Sequence, residues 1–337
     1  MTKVTSLDIA YLAGVSQSTV SRALRGSPLV NPQTRRRIQR IAREHNYKVD
    51  SSASNLRSKQ SRAIALLVHR ESGMDSDINP FFVSMLASIT RAAAARNYDV
   101  LLSFQQLSEN WIVDYQNSNK AEGIILLGYG GYTDHIRKAE LLEDAHVLTW
   151  GPVIEGQPGH FVGCDNRQGG YLATRHLLKL GHRRIAFVGD VSDDCPEIQD
   201  RYSGYRKALR EAGIEPAADL RAAAIPAEQS GALAARELLS RKVEFSAVFC
   251  GSDLSALGAV KAFGESGLSV PGDISVVGFD DIPAVSYTTP ALTTIRQDTA
   301  KAGGIMVDAL LRLVAGEAVE SRLIEPELTI RASCRAV

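Results

Sequence analysis

Two groups of side chains in this 337-residue sequence have types and spacing suited to recognition. Near the amino end, Gln17, Ser18, Ser21 and Arg22 share one arc of a helical stretch whose other face carries Val20 and Leu24. Short hydroxyls and an amide let a helix seat deep in a DNA major groove and bond base edges, and an arginine one turn on reaches guanine or phosphate. The same spacing also fits an ordinary helical hairpin with a solvated face. Far downstream, Asp165, Ser252-Asp253 and Asp280-Asp281 each follow a short apolar run, Asn79, Phe81 and Phe82 follow another, and Arg201 opens a helical pattern. Carboxylates, an arginine and rings suit a polyhydroxylated ring, because Asp accepts from paired hydroxyls, Arg donates to them and Phe covers an apolar sugar face. Taken singly, Asp165, Asp253 and Asp280 also read as helix caps, and Arg201 as an interlobe ion pair.

The elements that must hold the first group are three short helices. Thr5 and Asp8 form a capping-box pair ahead of a helix whose Ile9, Leu12 and Ala13 are expected to face inward. Gly14 sits where the chain turns steeply into a second helix, which Ser16 can cap. A third helix opens at Asn31-Pro32, buries Ile38, Ile41 and Ala42, and stops near Asn46; its other face carries Arg35, Arg36, Arg37, Arg40 and Arg43. Charge is segregated accordingly. Residues 1–60 hold eleven Lys and Arg against three Asp and Glu, a formal +8, while the other 27 basic and 35 acidic residues leave −8. A nucleic-acid partner is therefore expected at this end alone.

The elements that must hold the second group alternate. Strands are expected at 63–68, 100–104, 123–127, 147–150, 185–188, 247–250 and 274–279, with helices at 82–96, 168–180, 199–212, 230–239, 254–266 and 299–314. Apolar strands between amphipathic helices mean doubly wound α/β units, and this length exceeds one usual core, so two lobes are expected. Ligands of such sheets gather beyond the carboxyl ends of the strands, where the second group stands. His182, in Gly181-His182-Arg183-Arg184-Ile185, reads as a cap or surface residue.

Several classes of function find no support. The glycines at 128, 130 and 131 lack dinucleotide-fingerprint spacing, and there is no phosphate-loop sequence, Gly-x-Ser-x-Gly elbow or His-rich metal spacing, so neither an enzyme nor a cofactor is expected. Cys164, Cys195, Cys250 and Cys334 are widely spaced, as buried thiols of a reducing compartment are. No apolar run would cross a bilayer and no hydrophobic leader precedes Asp8, so no membrane partner and a cytoplasmic location are expected.

Val4-Thr5, Asp8-Ile9-Ala10, Ala13-Gly14-Val15-Ser16, Thr19-Val20-Ser21-Arg22, Asn46-Tyr47 and Leu56 before Lys59-Gln60-Ser61 resemble the lactose-repressor (LacI/GalR) family of bacterial regulators. Gly181 to Ile185 and Pro271 to Asp281 resemble it as well. The resemblance implies a three-helix helix-turn-helix domain over 1–49, a hinge over 50–61, and an effector-binding and dimerisation domain over 62–337. The last is similar to periplasmic sugar-binding proteins, with one lobe over 62–163 and 293–325, the other over 164–292 and 326–337, and crossovers near Gly163, Leu292 and Glu325. Gln17, Ser18 and Arg22 then correspond to base-reading positions, and Ser16, Thr19, Ser21, Asn31 and Thr34 to residues supporting the dock on the DNA backbone; Thr5 and Ala53 belong to the same DNA-binding set. In the hinge, Leu56 would enter the minor groove as an apolar wedge that kinks the duplex. Asn79, Phe81, Phe82, Asp165, Arg201, Ser252, Asp253, Asp280 and Gln297 fall where effector contacts or their supports lie. The implied function is a homodimeric repressor of a palindromic DNA operator, controlled by a small molecule, with a sugar as the expected class. A nucleoside or sugar phosphate, and a sugar carrier, remain alternatives. The chain departs from many sugar-responsive members at Ile225-Pro226, where those carry a stacking aromatic.

Overall fold

The computed structural model describes residues 4–24, 26–47, 61–68, 78–103, 113–128 and 145–337. The chain divides into two compact units, Met1–Ser61 and Arg62–Val337. Hinge residues Ala53 and Leu56 lie outside the described residues.

In the first unit, α1 (Ser6–Ala13), α2 (Gln17–Leu24) and α3 (Pro32–Glu44) enclose Ile9, Ala10, Ala13, Val20, Ala23, Val30, Ile38 and Ile41. The Thr5 hydroxyl accepts from the Asp8 amide, and the Asp8 carboxylate accepts from the Thr5 amide at 2.8 Å, so the capping box closes on both sides. Gly14 ends α1 at φ 58°, a left-handed value that costs glycine nothing. Asn31 caps α3 with Pro32 at its first position. Leu12 is not an inward residue; it stays 48% exposed. The alanines at 10 and 13 let the neighbouring helices approach a narrow face centred on Ile9, which leaves Leu12 on its rim.

Among the described residues the second unit carries two six-stranded sheets. The first has the order β11-β5-β4-β3-β1-β2 and is parallel throughout, with β1 Ala63–Val68, β2 Asp99–Ser103, β3 Gly123–Leu127, β4 Val147–Trp150, β5 His160–Cys164 and β11 Arg322–Ile324. The second has the order β12-β10-β9-β8-β6-β7, with β6 Ile185–Val188, β7 Arg221–Ala222, β8 Ala247–Cys250, β9 Ser275–Asp280, β10 Thr293–Arg296 and β12 Glu327–Thr329, the last antiparallel to β10. Most of β1, β3, β4, β6 and β8 is apolar and buried on both faces, as helix-covered parallel strands must be.

The chain passes between the sheets three times. It leaves the first after Cys164 and returns between Arg296 and Thr299, then leaves again between Ile324 and Glu327. The return therefore lies after Arg296, and not at Leu292 as the sequence boundaries expect. Thr293 to Arg296 pair in register with Val277 to Asp280, which fixes that strand in the second lobe.

Three helix pairs cover these sheets, and each crosses at glycine. They are α4 (Pro80–Ala95) with α9 (Thr299–Val314), α5 (Asn166–Lys179) with α6 (Pro196–Glu211), and α7 (Glu228–Ser240) with α8 (Asp253–Glu265). A Cβ on Gly170 would lie 2.0 Å from the Arg201 carbonyl oxygen, and one on Gly258 would lie 1.8 Å from that of Glu228. At Gly303 it would meet the Ser88 hydroxyl, which bonds the Ala300 carbonyl across the same crossing. Such backbone-to-backbone approach fixes the helix that starts at the site residues.

His182 corrects the sequence reading. It is buried, with Nδ1 2.8 Å from the Ser246 hydroxyl and Nε2 3.0 Å from both the Ser275 hydroxyl and the Arg335 carbonyl. Burial holds its pKa below the usual imidazole value.

Candidate functional site

On the first unit, α2 opens with a hydroxyl cluster. Ser16 Oγ lies 2.8 Å from Thr19 Oγ1 and 2.9 Å from Ser18 Oγ, and accepts from the Thr19 amide, so it caps the helix. Gln17 donates through Nε2 to Ser6 Oγ at 2.7 Å, which orients its amide across the turn. Gln17, Ser18 and Arg22 are exposed; Ser21, Thr19 and Thr34 are half-buried, and Asn31 is spent on its cap. Arg35 is turned inward instead, donating to the Ser27 carbonyl at 2.6 Å, whereas Arg36, Arg37, Arg40 and Arg43 remain exposed. The unit thus presents a polar helix face on a basic body, the arrangement that phosphate positioning and base reading require.

In the second unit, a cleft of about 310 Å³ opens between the lobes at the carboxyl ends of β9 and β10. Phe81 and Ser84 come from α4, Asp280 and Gln297 from the strand ends, and Thr299 from the start of α9. Phe81 packs edgewise on Phe82 at 5.4 Å and tilts over Trp150 at 5.9 Å, so its ring is braced from behind. Asp280 and Asp281 occupy φ 119° and φ 57°, values that L residues rarely adopt, where β9 gives way to the cleft.

The surroundings of Asp280 explain how that backbone is held. Gln297 Nε2 donates to its Oδ1 at 2.7 Å, and Arg201 Nη1 stands 3.7 Å from the same oxygen. Arg201 is itself buried: its Nε donates to Asn166 Oδ1, its Nη1 to the Gly251 carbonyl, and its guanidinium lies 3.7 Å above the centre of the Phe279 ring. Burial pushes the Asp280 carboxyl up to about 6, against the opposing pull of Arg201 and Gln297. Asp281 is paired with Arg331 at 2.6 Å.

The expected residues therefore separate. Phe81, Asp280 and Gln297 line the cleft, and Phe82 and Arg201 support them. Asn79, Asp165 and Ser252 cap α4, α5 and α8. Asp253 is fully buried with both oxygens engaged, Oδ1 by the Thr294 hydroxyl and Oδ2 by the Ile282 amide, and burial beside Asp280 raises its pKa. It shapes the turn after β9 and does not open to the cleft. Asn166, expected beside Asp165 at the ligand end of the strands, holds Arg201 instead of lining the cleft. Ser84, Phe279, Arg296 and Thr299 are site residues the sequence does not single out: Phe279 adjoins Asp280, so chain adjacency was the available signal, while Ser84, Arg296 and Thr299 carry no signal of their own. Arg296 is paired with Glu327 at 3.3 Å, and Asp298, beside Gln297, caps α9. Among the described residues no group of His, Cys, Asp and Glu is arranged to hold a metal, and no helix is long and apolar enough to cross a membrane.

Comparison with known proteins agrees with both units. Residues 5–50 match the bacterial regulatory proteins of the lacI family, and residues 174–334 match the periplasmic binding protein-like domain. The HTH-type transcriptional regulator CelR of Thermobifida fusca is 32% identical over 333 residues, 96% of each chain. The chain belongs to the LacI family. This LacI-family protein is a transcriptional regulator with a helix-turn-helix domain and a periplasmic-binding-protein-like α/β domain. A lac repressor dimer bound to operator and the anti-inducer ONPF superposes on it with a TM-score of 0.85 at 29% identity, covering 99% of this chain and 100% of that one. A complex of a regulator CelR with cellobiose gives 0.71 at 30% identity, covering 98% and 99%.

Proposed function

We propose that this LacI-family regulator is a repressor that binds a palindromic operator as a cytoplasmic homodimer, releasing or engaging it when a neutral sugar occupies the interlobe cleft. Gln17, Ser18 and Arg22 read bases, while Thr5, Ser16, Thr19, Ser21, Asn31, Thr34 and the exposed arginines Arg36, Arg37, Arg40 and Arg43 of α3 dock the backbone. Ala53 and Leu56 enter the minor groove from a hinge over 50–61. Twofold symmetry spaces the half-sites by about one helical turn, ~34 Å.

The observation that carries the effector reading is Asp280. It lines the cleft, and among the described residues both of its contacts given above fall on Oδ1, which leaves Oδ2 to accept from sugar hydroxyls in this reading. Gln297 and Thr299 add polar groups, and Phe81 offers a ring to an apolar sugar face. Among the described lining residues Arg296 is engaged by Glu327 and is outnumbered by Asp280, Asp281 and Asp298, which favours a neutral ligand over a phosphorylated one. Asp165, Arg201, Ser252 and Asp253 act in this reading by holding the frame. The solved complex of a regulator CelR with cellobiose supports the sugar class.

Thermal unfolding of the full chain against mono- and disaccharides, sugar phosphates and nucleosides tests this. A ligand at about one hundred times its Kd adds about 2.7 kcal/mol, which raises the midpoint by several degrees. A shift with neutral sugars that Asp280→Asn abolishes supports the reading; a shift confined to phosphorylated compounds or nucleosides overturns the sugar class.

A further inference from the structure

The second unit begins with a strained residue. Arg62 adopts φ 47°, a left-handed value that a side chain with a Cβ resists, one residue before β1 starts at Ala63. Its exposed side chain gives no reason for the conformation. Its backbone does. The Arg62 amide donates to Glu122 Oε1 at 2.8 Å, and its carbonyl accepts from the Asp99 amide at 2.9 Å.

Glu122 is held in turn from three sides. Its Oε2 accepts from the Tyr98 hydroxyl at 2.8 Å, its amide donates to the Ala63 carbonyl at 2.8 Å, and its carbonyl meets His146 Nδ1 at 2.9 Å. These partners come from the approaches to β1, β2, β3 and β4, four adjacent strands of the first lobe. Burial and the bond to Glu122 push the Tyr98 phenol up to about 12, so it remains a proton donor across the working range.

The lever is large. Turning Arg62 from φ 47° to the right-handed region redirects the chain on its amino side by about 110° around one bond. That chain leads into the segment 50–61. We propose that Glu122 is a positioning residue for DNA recognition: with Tyr98 it clamps the Arg62 amide, fixes the direction in which the chain leaves the first lobe, and so presents the hinge segment to the operator. This rests on the operator reading above. Movement of any of the four strand starts against the others would alter the clamp, which gives the lobe a handle on the hinge.

The test uses the full chain. A duplex is first selected from a random library by the wild-type protein, and affinities for it and for a scrambled duplex are then measured by fluorescence anisotropy. Glu122→Ala should weaken binding to the selected duplex by about tenfold while leaving the scrambled duplex within about twofold. Glu122→Gln, which keeps an acceptor for the Arg62 amide, should recover most of the loss. Arg62→Pro, whose ring fixes φ near −65°, should reproduce the loss with Glu122 intact. Arg62→Asn, which tolerates the left-handed region, should bind like wild type. Where Glu122→Ala fails to fold by circular dichroism, Tyr98→Phe and the Arg62 series carry the test. Unchanged discrimination in Glu122→Ala or Arg62→Pro, or equal loss on both duplexes, overturns the clamp. If the wild-type chain enriches no duplex, the operator reading itself fails, and the two failures are thus distinguishable.

Discussion

Arg201→Met removes the cation beneath the cleft while keeping most of its volume, and its cost should depend on pH. Asp280 is buried at the cleft wall, and its carboxyl sits at about 6 where an unfolded aspartate has 3.8, a difference of about two units or about 3 kcal/mol. A folded value above the unfolded one means that this contribution to stability is complete below pH 3.8 and lost as pH rises through about 6. Without Arg201 the value climbs further and the loss extends to higher pH. Breaking a buried pair costs about 3–5 kcal/mol, and in a unit of this size each kcal/mol moves Tm by about 2 °C. The variant should therefore melt about 6–10 °C below wild type at pH 7.5. At pH 5 Asp280 is largely protonated in both proteins, and the gap should fall to about half, the remainder coming from the acceptors stranded at Asn166 and Gly251. Melts followed by circular dichroism and by calorimetry measure this. An equal gap at both pH values, or one under about 2 °C at pH 7.5, would refute the electrostatic argument.

Two glycines of one helix should respond oppositely to alanine. Gly264→Ala meets nothing within 4 Å and should gain up to about 1 kcal/mol in a denaturant titration, whereas Gly258→Ala drives a methyl into the Glu228 carbonyl and should lose about 1–3 kcal/mol. His182, held neutral by burial, contributes stability that is present above its unfolded value near 6.5 and lost as pH falls. His182→Gln should then show a shallower acid limb in Tm against pH, even with a lower midpoint at pH 8. Thr5→Ala should cost the first unit about 1 kcal/mol by removing one half of the capping box, read as reduced amide-exchange protection in α1.

Much of the fold was legible because its signals are local. The helix starts at Asn31-Pro32 and the apolar runs of β1, β3, β4, β6 and β8 carry their own punctuation and period. The strands that escaped notice lack it. His160 to Cys164 includes a histidine and a glycine, Thr293 to Arg296 is mostly polar, and β7 and β11 are two- and three-residue edges defined by their neighbours alone. The site was legible in residue type and ambiguous in role. Asp165, Ser252 and Asp253 all stand at helix starts, and nothing in their spacing tells a cap from a ligand contact or either from a buried turn anchor. Arg201 was placed at the cleft, yet its partners Asn166, Gly251 and Phe279 come from three other elements, and only tertiary packing brings them together.

The threefold passage of the chain between the sheets also bears on how the molecule is made. The first lobe's α4 awaits α9, which ends at Val314, and its sheet awaits the edge strand β11, which ends at Ile324. At about 5–20 residues per second, the stretch from 165 to 298 occupies a ribosome for on the order of ten seconds, during which β1 to β5 stand with their covering helix missing. The later lobe completes its helix pairs first, and the earlier one closes around a neighbour already largely formed. Exposed apolar strands during that interval are what chaperones bind, so a slow codon run within the second lobe should lower yield more than the same run placed after residue 324.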